Sequence, residues 1–418
     1  MVFFDLIEVP TPNNEVNTMH AEKVSHKILF DACAWMHTHR LNALQAVVQA
    51  AIAERRLSVT GLGRAIDSEA KEKHCIKQAD RLIGNTHLHR DYRDVYASFA
   101  RLILGPTTRP VILVDWSDLD GGKNHFLLRA SVAVDGRALT LYEEVHELST
   151  KEKPATHRTF LGRLKRLIPE SCQPIMVSDA GFRNPWFRAV EEIGWDWVGR
   201  VRNRTQVYKV TDDGQWRGCK VLYGEATTTA RYLGQYEVSR SSPLAARLVL
   251  YKAKAKGRSK ITAEGTRAKS KVSEQCAQRE REPWLLATSL PVSSKLAKKV
   301  VAIYRTRMQI EEAFRDTKSV RFGVGYELSL SRSAERIQIL FLIAMIANVV
   351  LWVLGMAAYL SGQQRHYQAN TERKRRVLSF IYLGLCVAND RRLRFSLNEL
   401  EPVGTKLYET LASHGEGW

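Results

Sequence analysis

Hydrophobic periodicity divides the chain into three stretches with different patterns. Residues 1–105 carry apolar residues at helical spacing, as in "RLNALQAVVQAAIAERR" (40–56). From Pro106 the pattern changes to short β-branched runs that alternate with turns and helical segments. After residue 330 it is helical again. The pattern therefore predicts a helical domain at 1–105, an α/β domain at 106–330 and a helical C-terminal region at 331–418 that contains a core helix.

The middle stretch predicts a mixed sheet flanked by helices. "RPVILVDWSD", "FLLRASVAVDG" and "RALTLYEEVHEL" predict three strands, the last two joined by a "DGRA" hairpin turn. A helix at about 156–168, the strand "QPIMVSDAGF", a helix at about 185–193 and the strand "WDWVGRV" follow. Residues 203–283 break this order with short strand-like runs and predict an inserted, mostly-β region. "PWLLATSLP" resumes the strand pattern, and one long helix is predicted to begin near Lys295.

The segment "IQILFLIAMIANVVLWVLGMAAYL" (337–360) is apolar enough to span a bilayer. Gln338 and Asn348 interrupt it, and the sequence has only one such segment. A helix that is hydrophobic all round is also typical of the centre of a large soluble protein. We predict a buried core helix and no membrane contact, with a membrane span as the alternative.

Charge narrows the class of partner. Lys plus Arg number 63 against 44 Asp plus Glu, a net charge of +19, which favours a polyanion such as nucleic acid. The tract "KAKAKGRSKITAEGTRAKSK" (252–271) predicts a basic loop that contacts phosphates, or one that is merely solvated. Six cysteines without any CxxC exclude a disulfide scaffold and a zinc site, and the start "MVFFDLIEVPTPNNE" has no secretory signal pattern. Both point to a reduced cytoplasm.

A second basic feature lies in "LSVTGLGRAIDSEAKEKHCIKQADRLIGNTHL", which predicts two short helices joined by a tight turn. In the second helix, one stripe is apolar and another is basic. The apolar stripe is Ile76, Ala79, Leu82 and Ile83, and the basic face is Lys73, Lys77 and Arg81. This is the form of a DNA recognition helix, although an ordinary amphipathic surface helix has the same pattern.

Two predicted strands end in an acid, at Asp115 and Asp179. Aspartate in an apolar strand is costly to bury unless it is paired or bound to a metal. If the strands are neighbours, the two carboxylates repel, and a divalent cation such as Mg²⁺ relieves the repulsion. Glu311 would complete a two-metal site for phosphoryl transfer. Asp118 and Asp120 are interpreted as turn residues.

Other chemistry is not supported by the sequence. The histidines 74, 87, 89 and 157 lack metal-ligand spacing and are interpreted as structural or surface residues. No GxxxxGK[ST] and no GxSxG occurs, which argues against nucleotide hydrolysis and against a serine hydrolase.

The stretch "YRTRMQIEEAFRDTK" (304–318) places Glu311 among cations. At about 100° per residue, Tyr304, Arg307, Glu311 and Lys318 fall within roughly 60° of one another on a single helix. A solvated face with i,i+4 ion pairs is the simple alternative. With Asp115 and Asp179, the stripe predicts that Glu311 reaches a metal while Arg307, Lys318 and Tyr304 contact DNA.

These motifs resemble the bacterial DDE transposases of the insertion-sequence-4 family, particularly the insertion-sequence-10 type. Its signature is Tyr, two residues, Arg, three residues, Glu, six residues and Lys, and positions 304, 307, 311 and 318 satisfy it. The resemblance implies an RNase H-like α/β core with catalytic, metal-binding acids at Asp115, Asp179 and Glu311, and a mostly-β insertion. It also implies that a flipped DNA base stacks on Trp284, for which a buried core tryptophan is the alternative.

The resemblance further implies cut-and-paste transposition through a DNA hairpin, with Mg²⁺ as cofactor and Mn²⁺ as its substitute. The expected partners are double-stranded DNA, both transposon ends and target, and a second copy of the chain in a synaptic homodimer, with the C-terminal region at 331–418 contributing to dimerisation. The expected location is the bacterial cytoplasm, at the nucleoid. A non-catalytic DNA-binding regulator and a membrane-associated protein are the alternatives. The acid triad argues against the regulator, since a binder gains nothing from carboxylates near phosphate.

Overall fold

The computed structural model describes residues 18–211, 215–254, 266, 270, 282–372 and 375–416. It divides into two compact units, which we call unit 1 (1–173 and 308–417) and unit 2 (174–307). The boundaries of these two units differ from those of the three predicted domains, which stay a prediction. Most of the predicted basic loop at 252–271 lies outside the described residues.

The described residues contain twelve α-helices. They are α1 Ala21–Ala32, α2 Thr38–Glu54, α3 Val59–Arg64, α4 Glu72–Ile83, α5 Thr86–Leu104, α6 Pro154–Leu167, α7 Asn184–Glu192, α8 Leu296–Arg305, α9 Met308–Lys318, α10 Ala334–Leu360, α11 Phe380–Ala388 and α12 Leu397–Gly415. The strands are β1 Thr18–Met19, β2 Val111–Asp118, β3 His125–Ala133, β4 Ala138–Glu147, β5 Ile175–Ser178, β6 Asp196–Val201, β7 Gln206–Lys209, β8 Arg217–Gly218, β9 Arg231–Val238, β10 Leu244–Tyr251, β11 Trp284–Thr288 and β12 Phe395–Ser396. Short 3₁₀ turns lie at Cys219–Glu225, Tyr326–Leu328 and Gln363–His366.

The N-terminal part of unit 1 is helical, as the apolar spacing predicts. The predicted tight turn between α3 and α4 is wrong, since seven residues, 65–71, join the two helices. The helices nevertheless pack closely, because a Cβ on Gly63 would lie 2.4 Å from the Cα of Ile76. In α4 the buried face includes Cys75, Ala79, Leu82 and Ile83, while Ile76 is only partly buried.

Strands β2, β3 and β4 form an antiparallel meander in unit 1. The predicted hairpin turn is confirmed, since Val134 N–H donates to the Arg137 carbonyl at 2.9 Å and Gly136 has a φ of 75°. Strand β2 does not end at Asp115 but continues to Asp118. The interpretation of Asp118 as a turn residue is therefore wrong, because the ladder pairs it with Phe126. Asp120 is a turn residue, and it accepts the N–H groups of Asn124 and His125.

The apolar helix α10 is the core of unit 1, as predicted. It is the one helix among the described residues that is long and apolar enough to cross a membrane, and 94% of its most apolar window is buried in the protein. Its two polar interruptions have partners. Gln338 accepts from Val145 N–H at 3.0 Å and donates to the Glu143 carbonyl at 3.1 Å, and Asn348 donates to Thr317 Oγ1 at 3.3 Å.

Helices α10 and α11 approach each other through two glycines. A Cβ on Gly355 would lie 1.9 Å from the Phe380 carbonyl oxygen, and one on Gly384 would lie 1.9 Å from that of Leu351. Real Cβ atoms do not approach so closely, so only glycine fits at either position.

Unit 2 contains a mixed sheet in the order β5-β6-β11-β10-β9-β7-β8. Strands β5 and β6 are parallel, and each of the following neighbouring pairs, from β6–β11 to β7–β8, is antiparallel. Helix α7 connects β5 to β6 as the pattern predicts. The strands within residues 203–283 join this sheet, and their status as an insertion stays a prediction.

The predicted continuous helix from Lys295 through Lys318 is wrong, because α8 ends at Arg305 and α9 begins at Met308. Thr306 N–H bonds to the Ile303 carbonyl, and Arg307 N–H bonds to that of Tyr304, both at three-residue spacing. The Thr306 hydroxyl also donates to the Ile303 carbonyl at 2.7 Å. Such threonine back-bonding competes with the helical ladder and bends helices. Tyr304 and Arg307 thus belong to unit 2, and Glu311 and Lys318 belong to unit 1.

Candidate active site

Asp115 lies in the middle of strand β2, where it is half-buried. Its Oδ1 accepts the N–H of Trp116 at 2.8 Å. The ladder places it directly opposite Arg129 of β3, and Arg129 is opposite Glu143 of β4. Directly opposite residues of an antiparallel sheet point to the same face. Asp115, Arg129 and Glu143 therefore form one row across three strands.

Lys318 lies at the end of α9 and contacts the same strand as Asp115. Its Nζ donates to Ser117 Oγ at 2.7 Å and also to the Asp118 carbonyl oxygen. Burial lowers the pKa of Lys318 to about 8, the charge of Arg129 acts in the same direction, and Asp118 opposes them. An ammonium has three donors. Two of them hold β2, and the lysine remains mostly charged at neutral pH.

Glu311 and Glu312 have different surroundings in α9. Glu311 is exposed in the first turn, where the positive end of the helix dipole favours a carboxylate. Glu312 forms ion pairs with Arg315 and, at 3.6 Å, with Arg137. Two cations thus hold Glu312 in structural pairs.

Asp179 follows strand β5 in unit 2, in agreement with the sequence. Its Oδ1 accepts the N–H of Gly181 at 2.8 Å. A Cβ on Gly181 would lie only 2.9 Å from that oxygen, so the turn needs glycine there to keep the carboxylate in place.

The Tyr304 side chain lies among aromatic and charged residues of unit 2. Tyr304 is only 4% exposed, and the ring of Trp284 packs edge-on against it at 5.1 Å. Burial raises the pKa of the Tyr304 hydroxyl and Asp179 raises it further, whereas Arg307 and a hydrogen-bonded Arg200 lower it. The structure thus places Asp179 in the electrostatic environment of Tyr304 and Arg307.

The predicted DNA-contacting face of α4 is accessible. Lys73, Lys77 and Arg81 are exposed. Lys77 and Arg81 also line a groove of about 700 Å³ together with His37, His39 and Arg40 at the start of α2. Their contact with DNA stays a prediction.

The donor chemistry of Asp115, Asp179 and Glu311 fits Mg²⁺, since carboxylate oxygens are its preferred protein ligands. Across the described ranges, however, no three His, Cys, Asp or Glu side chains are grouped so as to hold a metal ion. The three carboxylates are therefore suitable metal ligands by type.

A comparison with protein families accounts for this collection of acids and cations. Residues 106–349 match the model of the transposase DDE domain. The chain belongs to the DDE transposase family. No curated protein matches the chain. The matched DDE domain includes all three predicted acids and all four positions of the Tyr-Arg-Glu-Lys motif, and this family cleaves DNA and transfers strands with divalent metal ions.

Two residues of the DDE domain were missed from the sequence. Arg129 and Arg200 each interrupt an apolar strand, in "FLLRASVA" and "WDWVGRV". The available signal was the cost of burying an arginine, which is acceptable only beside a partner. Sequence alone could not say which partner that is, because Glu143 and Tyr304 are supplied by other elements.

Proposed function

We propose that this transposase cuts DNA at the terminal inverted repeats of its own insertion sequence and joins the freed ends to a target. In more detail, a homodimer holds the two ends of the insertion sequence. Each end is released through a DNA hairpin, by the cut-and-paste route of the insertion-sequence-10 type. The observation that carries the proposal is the family match, which spans Asp115, Asp179, Glu311 and the whole motif.

In this proposal Asp115, Asp179 and Glu311 hold the divalent ions. Bound Mg²⁺ would activate the attacking oxygen and stabilise the leaving oxygen of the phosphodiester. Asp115 is supported by its strand and Asp179 by its turn, so both carboxylates are oriented before a metal arrives. Glu311 is exposed in the first turn of α9.

The cations of the motif would bind the DNA backbone. Two donors of Lys318 are fixed on β2, and we assign the third to a phosphate beside the reacting one. Arg307 would hold a second phosphate. Tyr304 is nearly buried, so its part is limited to the edge of its hydroxyl and to supporting Trp284, on which a flipped base would stack.

The proposal is tested with purified protein and the DNA that flanks its own gene. We expect Mg²⁺-dependent cleavage at both ends, and loss of cleavage in Asp115→Asn, Asp179→Asn and Glu311→Gln, because each variant removes one charged ligand. Footprinting should show that all three variants still bind the ends. Glu312→Gln is the matched control, since Glu312 is held by Arg137 and Arg315.

Undiminished cutting by any of the three acid variants would refute the assignment of that residue. Absence of footprints at both ends would refute the specific-element proposal. Footprints without cleavage by the wild-type protein would favour the non-catalytic regulator.

A further inference from the structure

A buried charged network lies beneath α9 and has no part in the proposed chemistry. Arg129 is 1% exposed and Glu143 is 0% exposed. The Arg129 Nε donates to Glu143 Oε2 at 2.6 Å, and the Tyr96 hydroxyl donates to Glu143 Oε1 at 3.0 Å. The carboxylate is therefore held on both oxygens by strand β3 and helix α5.

Stability alone does not explain this pair. Replacing a buried ion pair with apolar residues of similar volume is often neutral or stabilising. Arg129 also has a buried Nη1 without a hydrogen-bond partner in the described part of the chain, which adds to the cost of burying it. A feature that is costly to bury and lies next to a functional acid calls for a functional explanation.

The network reaches α9 through Thr317. Arg129 Nη2 donates to Thr317 Oγ1 at 3.2 Å, Asn348 donates to the same oxygen at 3.3 Å, and that hydroxyl donates to the Ala313 carbonyl at 3.0 Å. A hydroxyl has one donor and two acceptor sites, so all three are used. The guanidinium also lies 4.7 Å from the centre of the Phe314 ring. Arg129 thus holds one face of α9 by a hydrogen bond and by ring contact.

Arg129 connects the two parts of the proposed site that unit 1 supplies. It is opposite Asp115 in the β2–β3 ladder, and its partner Thr317 immediately precedes Lys318 in α9. The same helix carries Glu311 two turns earlier. A shift of α9 along or around its axis would move Glu311 and Lys318 relative to Asp115.

We propose that Arg129 is a positioning residue, which fixes α9 on the β2–β3–β4 meander so that Glu311 and Lys318 are held at a set distance from Asp115. The inference rests on the proposed function for its catalytic consequence. Its structural part concerns the free protein and needs no DNA.

The experiment compares Arg129→Lys and Thr317→Val with the wild-type protein. Lysine keeps the positive charge beside Glu143, but it lacks the planar guanidinium that bonds Glu143 and Thr317 at the same time. Valine keeps the shape of Thr317 without its hydroxyl. Cleavage at saturating DNA should slow by about 10²-fold in both, the usual effect of misplacing a reacting group by about 1 Å. End binding should stay within about threefold, because neither residue is assigned to DNA contact.

Two further variants separate positioning from folding. Arg129→Met combined with Glu143→Leu removes the whole ion pair and should recover stability but not the cleavage rate. Gln45→Leu breaks a buried hydrogen bond to Ser25 among the N-terminal helices, and it should lose stability without losing the rate. Wild-type cleavage by the double variant would overturn the inference.

Hydrogen exchange of the α9 amides in the free protein supplies a readout that is independent of activity. Exchange should rise across Met308–Lys318 in Arg129→Lys and Thr317→Val, and stay unchanged in Gln45→Leu. If wild-type protein cleaves no DNA, the proposed function fails while exchange still decides whether Arg129 positions α9. If exchange is unchanged in both variants, the inference fails whatever the cleavage result.

Discussion

Asp115 and Asp179 follow similar apolar runs in the sequence, but the protein fixes them by different means. Asp115 lies within an eight-residue strand and is paired across the ladder with Arg129. Asp179 lies just after a four-residue strand, in a turn closed by its bond to Gly181. The first carboxylate accepts the N–H of the next residue, Trp116, and its strand is held by the ladder with β3, whereas the second accepts the N–H of a glycine two positions on. Disturbances of the two should therefore differ in kind.

The largest effect is expected from low pH, which should reduce the stability of the region around Asp115. His157 of α6 is buried, and its Nε2 accepts from the Trp116 indole at 3.1 Å. Burial lowers the pKa of His157 to about 4 from 6.5, and nearby His146 contributes. Between pH 4 and pH 6.5 the unfolded state therefore binds more protons than the folded state. The contribution of His157 to the free energy of unfolding is complete above about pH 6.5 and is lost as the pH falls towards 4. The loss is about 3 kcal/mol.

Urea unfolding of His157→Gln and wild-type protein at pH 7 and pH 4.5 measures this effect. Glutamine keeps an acceptor for Trp116 but does not titrate, so the variant should lose less free energy of unfolding on acidification. Hydrogen exchange in β2 should rise before exchange in β5. Equal acid sensitivity of the two proteins would contradict the role given to His157.

The next effect concerns the Asp179 side. Gly181→Ala places a Cβ 2.9 Å from Asp179 Oδ1, so the carboxylate must move. We expect cleavage to slow by about 10²-fold, equivalent to about 2.7 kcal/mol, with little change in thermal stability. Gly121→Ala is the matched control because no atom lies within 4 Å of its added Cβ. Equal rates for the two variants would show that the turn does not fix Asp179.

The smallest effect is expected three residues from Asp115. Asp118 is exposed and pairs with Lys151 at 3.2 Å. Exposed ion pairs contribute about 0–1 kcal/mol, so Asp118→Ala should change the free energy of unfolding by less than about 1 kcal/mol. The hydrogen bond from Lys318 to residue 118 goes to the backbone oxygen, which alanine retains, and the loss of the Asp118 charge removes only the smallest influence on the pKa of Lys318. Cleavage assays should give a near wild-type rate, and a loss like that of Asp115→Asn would mean that the wrong acid of this strand was chosen.

Local pattern was sufficient for much of the fold. The meander β2–β4, its hairpin turn, helices α6 and α7 and the buried helix α10 all follow from apolar periodicity and turn residues. The prediction for the acids at 115 and 179 rests on the rarity of aspartate in apolar strands, and their role stays a prediction. These features depend on neighbours within a few residues, which a sequence displays directly.

The predictions from sequence were wrong or incomplete where a contact that the local pattern does not show determines the structure. The break after α8 depends on the Thr306 hydroxyl bonding to a carbonyl, whereas helical spacing continues through it without interruption. Strand β2 extends beyond Asp115 because β3 pairs with it as far as Asp118. The partners of Arg129 come from β4 and α9, and nothing local to residue 129 indicates them.

Helix α10 also affects the order in which the protein can mature during synthesis. It packs against α2, which is made earlier, and against α11 and α12, which are made later. While the ribosome completes the last two helices, this 27-residue apolar helix is only partly covered, because α11 and α12 have not yet packed against it. Nascent chains stalled between α10 and α11 are therefore expected to bind chaperones or aggregate, and release of an intact chain should coincide with loss of chaperone binding.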